Sequence, residues 1–267
     1  MSRTMAIKPV FVKIGQYNIR YIEAGRGDKT IVLLHGLGGS AERWLPIIPH
    51  LSTNYRVIVP DIIGFGHSDK PTIDYTVEFL SKFLFDFLNH LFIVKPTLIG
   101  SSLGGRILTE YAIQNPQNIE KIILVSPAGF NEESTPALNS YIQAALHPKF
   151  EDVKKAFLMM AGNDKPIEQQ IVYEFINHMK FTNAKMSFMS SLMGLRKSTL
   201  TPEHLSKILN PTLLIWGKED SVIPITHAKK FVTSIKNCQY CKMEGCGHAP
   251  YVDAPELFSK IVLDFLD

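Results

Sequence analysis

Eight short apolar, β-branched runs punctuate the chain: "PVFVKI", "YNIRYIEA", "TIVLLH", "RVIVPDI", "PTLIGS", "KIILVSP", "TLLIWG" and "QYCKME". From the third run onward, segments with apolar residues at helical spacing separate them, as in "VEFLSKFLFDFLNHL" and "GGRILTEYAIQN". No other feature restricts the fold as strongly. Strands that are apolar along their whole length are buried on both faces, and helices between successive strands are what covers a parallel sheet. The first two runs are joined by the short "GQYN" and read as an antiparallel hairpin on one edge. The expected class is α/β, with a mostly parallel eight-stranded sheet and helices on both faces.

One interval breaks the rhythm. After "KIILVSPAGF" a further strand is due within about 20–30 residues if a simple βα unit follows. Residues 131–201 instead read as helices without a strand. A helical cap inserted into the core is expected, giving core residues 1–130, cap residues 131–201 and core residues 202–267. Six of the nine methionines lie in the insert: Met159, Met160, Met179, Met186, Met189 and Met193. Methionine fills irregular gaps, so these residues are expected to pack the cap and to give an adaptable apolar wall.

Composition excludes several classes. A net charge of +3 with no dense Lys/Arg stripe does not suit nucleic acid. The start "MSRTMAIKPVFV" lacks the apolar core of a signal peptide. The run at Phe79 to Val94 is interrupted by Lys82, Asp86, Asn89 and His90, and is too short and too polar to span a bilayer. A cytoplasmic protein that touches no membrane is the expectation; oligomeric state is not readable. Cys238, Cys241 and Cys246, with His248, spell C-x2-C-x4-C-x-H, but zinc sites draw ligands from two separated pairs. A strand that happens to contain cysteines is the better reading, and no metal is expected.

The stretch "LIGSSLGGR" carries the chemistry. "GSSLG", Gly100 to Gly104, fits G-x-S-x-G between an apolar strand and a helix, with Ser102 at the centre. A sharp strand-to-helix turn needs side-chain-free neighbours and throws the central side chain clear of the sheet. Three further elements follow strands in the same way. "LLHGLGGS" is a glycine-rich turn able to aim an amide at a reacting oxygen. "WGKEDSVIP" offers Asp220, and "GCGHAPYVDAPE" offers His248. Ligands of open α/β sheets sit beyond the carboxyl ends of the strands, where all four elements fall.

In the order Ser102, Asp220, His248, with the supporting run "VIVPDIIGFGHSDKP", the chain resembles the α/β-hydrolase fold enzymes. Within them it is similar to small capped serine hydrolases, the carboxylesterases and the carbon–carbon bond hydrolases that act on meta-cleavage products. The resemblance implies Ser102 as nucleophile, His248 as base and Asp220 as the acid orienting it. Glu219, and the trio Asn131, Glu132 and Glu133 after the preceding strand, are alternative acids. The backbone amides of Leu37 and Leu103 would form the oxyanion hole. Trp44, Phe130 and Met189 are possible pocket walls, with core packing the alternative for the two aromatics. His35 and His67 are expected to brace backbone.

The expected reaction is hydrolysis of a small-to-medium carboxylic ester through an acyl-enzyme, without metal or organic cofactor. Its partner is a small-molecule acyl substrate held in a pocket of roughly 300–1000 Å³. Two alternatives stay open. Carbon–carbon hydrolysis of a vinylogous diketone is one, although relatives that do this carry Trp after the catalytic His and an arginine in the cap. This chain has Ala249, and no arginine between Asn131 and Leu195. The other is a ligand sensor that keeps the triad without turnover.

Overall fold

In the computed structural model the chain is described over residues 8–130, 133–162 and 165–267. The strands are β1 (Lys8–Ile14), β2 (Tyr17–Ala24), β3 (Thr30–Leu34), β4 (Arg56–Pro60), β5 (Thr97–Ser101), β6 (Ile122–Val125), β7 (Thr212–Gly217) and β8 (Cys238–Met243). They form one sheet in the order β1-β2-β4-β3-β5-β6-β7-β8. β1 and β2 make the expected antiparallel edge hairpin and β2 is antiparallel to β4; every later pairing is parallel.

The α-helices are α1 (Ile48–Leu51), α2 (Val77–His90), α3 (Leu103–Gln114), α4 (Pro136–Leu146), α5 (Phe150–Met160), α6 (Gln169–Met179), α7 (Ala184–Lys197), α8 (Pro202–Ser206), α9 (Ala228–Ser234), α10 (Pro250–Asp253) and α11 (Pro255–Leu266). α2 starts where Thr76 Oγ1 accepts from the Phe79 amide at 3.1 Å. Its apolar residues recur at three and four, so Leu80, Leu84 and Phe87 form one buried stripe.

Alternation along the strands divides the core in two. Ile31 and Leu33 of β3, Ile99 of β5, Ile123 and Val125 of β6, and Leu213 and Ile215 of β7 pack with Phe258 and Val262 of α11. Val32, Leu34, Leu98, Ile122, Leu124 and Leu214 point the other way, onto α2 and onto Ile107, Leu108 and Tyr111 of α3. Full burial of each such side chain is worth about 1.5–3 kcal/mol. Both faces are therefore covered, as a sheet of near-continuous apolar strands requires.

Helices α4 to α7 all lie between β6 and β7, which are neighbours in the sheet. They meet the body through Tyr141 Oη, which donates to Leu37 O at 2.7 Å, and Asn183 Nδ2, which donates to Lys70 O at 2.9 Å. Ser190 Oγ accepts from the Tyr75 amide at 3.0 Å. Among the described residues no helix is long and apolar enough to cross a membrane.

Candidate active site

Ser102 is the single residue between β5 and α3, at φ 54° and ψ −114°. A non-glycine residue holds such a conformation only where its surroundings enforce it. Here the Ser102 amide donates to Val125 O at 3.0 Å, and its carbonyl accepts from Arg106 N at 3.0 Å and Ala128 N at 3.1 Å. A Cβ on Gly104 would overlap the carbonyl oxygen of Leu34, so only glycine lets α3 approach β3 here. The turn places Ser102 at the edge of a cavity beyond the carboxyl ends of the strands.

Asp220 and His248 come together in the same place. Asp220 follows β7, and its Oδ1 accepts from the amides of Val222 and Ile223, each at 2.9 Å. Its Oδ2 lies 2.9 Å from His248 Nδ1. Both side chains are buried, at 0% and 7% exposure. A carboxylate fixed by two amides and facing Nδ1 makes that nitrogen the donor, which leaves Nε2 as the acceptor. Among the described residues no hydrogen bond joins Nε2 to Ser102 Oγ, a contact that commonly tightens only around substrate. Among the described residues neither Glu219 nor Glu133 makes a hydrogen bond or ion pair with His248, whose partner is Asp220, and Asn131 and Glu132 lie outside the described residues.

The loop carrying His248 is fastened to the C-terminal end of α5. The His248 amide donates to Met160 O at 2.8 Å, and Ser221 Oγ hydrogen-bonds Met159 O. Asp253 Oδ2 accepts from Gly247 N at 2.7 Å and from Gly162 N at 3.0 Å. Burial holds the Asp253 carboxyl above its ordinary range, against the opposing pull of those two amides. A Cβ on Gly247 would strike the Met160 carbonyl, so this contact needs glycine.

The turn Gly36 to Gly39 closes with Gly39 N donating to Gly36 O at 3.1 Å. Leu37 borders the cavity, and Leu103 opens α3, where helix amides lack intrahelical partners. His35 is fully buried and braces backbone as expected. Its Nε2 accepts from Ile62 N at 3.0 Å, its Nδ1 lies 2.8 Å from Gly36 O, and burial lowers its pKa.

The cavity has a volume of about 170 Å³, tighter than the expected pocket. Its wall comes from Leu138 and Tyr141 of α4, Phe157 of α5, Phe175 of α6, Leu192 of α7 and Ile223 after β7. None of the three expected wall residues reaches it. Trp44 is fully buried and stacks on Tyr251 at 3.9 Å, because its short helical turn directs the indole into the core beside Phe258. Phe130 packs edge-on against Phe231 and His227, with Lys230 over its ring. Met189 lies partly buried in the packing of α7. The methionine wall reduces to Met160, and Met193 is 45% exposed. Polar cavity residues that were not singled out from the sequence include Glu42, Arg43, Tyr141, Glu174, His178 and Tyr251. Glu42 and Arg43 had a signal in their place just behind "HGLGG", and Tyr251 in its place three residues after His248. His178, buried and next to His67, is lowered to about 4.

A family model described as alpha/beta hydrolase fold matches residues 29–157. The chain is also 30% identical over 251 residues to an uncharacterised hydrolase, YugF, of Bacillus subtilis (strain 168), spanning 90% of either chain. The chain belongs to the α/β-hydrolase fold family. This α/β hydrolase is 28% identical over 267 residues to the 2-hydroxy-6-oxo-6-(2'-aminophenyl)hexa-2,4-dienoic acid hydrolase of Metapseudomonas resinovorans, spanning 96% of this chain and 90% of that one. Among solved structures, a serine hydrolase involved in carbazole degradation, CarC, shares 27% identity at a TM-score of 0.85, covering 98% of this α/β hydrolase and 99% of that chain. A membrane phospholipase A shares 25% identity at a TM-score of 0.86, covering 98% of this chain and 86% of that one.

Proposed function

We propose that this α/β hydrolase cleaves small-to-medium carboxylic esters through an acyl-enzyme on Ser102. The reading rests above all on the strained Ser102 turn sharing one cavity with a histidine whose Nδ1 is held by a buried carboxylate. His248 Nε2 takes the Ser102 proton, and Ser102 Oγ attacks the carbonyl carbon. The Leu37 and Leu103 amides receive the oxyanion, and His248 protonates the leaving alcohol. Water then repeats the cycle and frees the acid. Asp220 keeps the tautomer and offsets the imidazolium charge. The steps need no metal or organic cofactor. Helices α4 to α7 act as the cap over the site, and the protein works in the cytoplasm on a small acyl substrate.

Carbon–carbon hydrolysis of a vinylogous diketone is the second reading, favoured by the likeness to the dienoic acid hydrolase. Ala249 after His248 and the lack of arginine from Asn131 to Leu195 weigh for the ester. A panel of p-nitrophenyl esters with one vinylogous diketone separates the two. Ester turnover of around 1–1000 per second supports the proposal. Faster diketone cleavage reverses the ranking, and single slow turnovers with both point to a sensor.

A further inference from the structure

Beside the nucleophile, one guanidinium borders the apolar cavity without a carboxylate partner. Arg43 belongs to the turn Ala41–Trp44, and its Cζ stands 5.6 Å from the centroid of the Phe157 ring on α5. Among the described residues it makes no ion pair. The nearby acids are engaged elsewhere. Glu42, itself on the cavity wall, pairs with Arg20 at 2.5 Å and is held at about 2, and Asp253 accepts from two backbone amides. Glu174, also on the cavity, accepts from Gln170 Nε2 at 2.9 Å.

A guanidinium in a largely apolar wall, with no carboxylate paired to it, interacts more strongly with an incoming anion than the same group in water. The planar guanidinium also matches a carboxylate with two parallel hydrogen bonds. Phe157 lies against the guanidinium from α5, the buried Tyr251 phenol beside Ser101 is its hydrogen-bond partner, and the Asp253 carboxyl feels its charge, which leaves the other N–H groups of the fork for a ligand. We propose that Arg43 anchors a carboxylate on the substrate, so that this site selects esters bearing a remote negative charge over neutral esters of equal length. The inference rests on the ester-hydrolase reading and names its substrate class. A group that only straps Phe157 to the body would affect charged and neutral substrates alike, whereas an anchor affects the charged one alone.

The test compares kcat/KM for the mono-p-nitrophenyl ester of adipic acid with that for p-nitrophenyl hexanoate. Wild type should prefer the adipate ester. Arg43→Met should lower its kcat/KM by about 10–100-fold, chiefly through KM, while the hexanoate changes less than about threefold. Arg43→Lys should keep part of the preference, and Glu174→Gln, which removes a like charge from the same cavity, should not reduce it. An unchanged adipate-to-hexanoate ratio in Arg43→Met overturns the proposal, as does a wild type without preference that hydrolyses both. If wild type turns over neither ester, the ester reading fails, and binding decides the anchor separately. In the Ser102→Ala variant, monomethyl adipate should bind more tightly than dimethyl adipate, and adding Arg43→Met should abolish the difference. Equal binding of the two rejects the anchor.

Discussion

Replacing Asp253 by alanine tests the link between α5 and the His248 loop. The carboxylate satisfies two buried amides, Gly247 N at 2.7 Å and Gly162 N at 3.0 Å. Each amide left unpaired costs about 1–3 kcal/mol, or about 2–6 kcal/mol together. Part of this is recovered, because burial disfavours the charge that Asp253 carries at neutral pH. The net loss should be about 2–4 kcal/mol, read from urea unfolding at pH 7. Both amides bind the one oxygen Oδ2, so Asp253→Asn, with its amide oxygen in that place, can still accept from both and should lose far less. Because burial raises the folded pKa, the proton-linked part of that carboxyl's contribution is full below the ordinary carboxylate range and lost as pH rises through the folded pKa, while the two amide hydrogen bonds remain. The deficit of the alanine variant should therefore narrow as pH rises across that interval. Gly247 precedes His248, so if His248 is the base proposed above kcat should also fall, by about tenfold or more, as that residue loses its position. A loss under about 1 kcal/mol with unaltered kcat would refute the reasoning.

Ser102→Ala should cut turnover by roughly 10⁴–10⁶, while Ser101→Ala, on a residue at 2% exposure in the bend, should cost far less; a dead Ser101→Ala enzyme would mean the turn register is misread. Across p-nitrophenyl esters from acetate to palmitate, kcat/KM should peak no later than octanoate, since the cavity is only about 170 Å³. A continued rise to palmitate counts against an enclosed site. His178 is lowered to about 4 from 6.5, so it binds a proton in the unfolded chain before the folded one. Stability is then full above about pH 6.5 and is lost, by up to about 3 kcal/mol, as pH falls to about 4. His178→Asn should flatten that part of a melting-temperature series from pH 7 to 4.

The sheet was legible because its information is local. β3, β5, β6 and β7 are uninterrupted apolar runs, and "GQYN" marks the edge hairpin. The Ser102 turn was equally readable, since the strand, the glycines and the helix that force its geometry adjoin it in sequence. Asp220 and His248 were found as strand-end loop residues, although their 2.9 Å contact joins segments 28 residues apart. The cavity wall was not legible. Trp44 and Phe130 are large and apolar, but side-chain direction depends on tertiary packing, and both turn inward. Tyr141, Phe157, Phe175 and Leu192 sit on four helices whose mutual arrangement no local pattern encodes. Arg43 had its place just behind "HGLGG" as a signal, but a surface arginine and a cavity arginine look identical in sequence, so that place alone did not single it out.

The placement of α4 to α7 bears on how freely this protein can be rebuilt. The chain departs from Val125 and rejoins at Thr212 on the adjacent strand. Closure entropy grows only slowly with the length of such an excursion, so the sheet itself should tolerate transplanted helices of another size. The loop that carries His248 does not share that tolerance. Met159, Met160 and Gly162 supply backbone partners to Ser221, His248 and Asp253. A chimera that swaps every residue between the two strands would therefore inherit the Ser102 turn intact while losing the grip on His248. One that keeps residues 159–162 would retain both, which makes that short segment the natural seam for grafting.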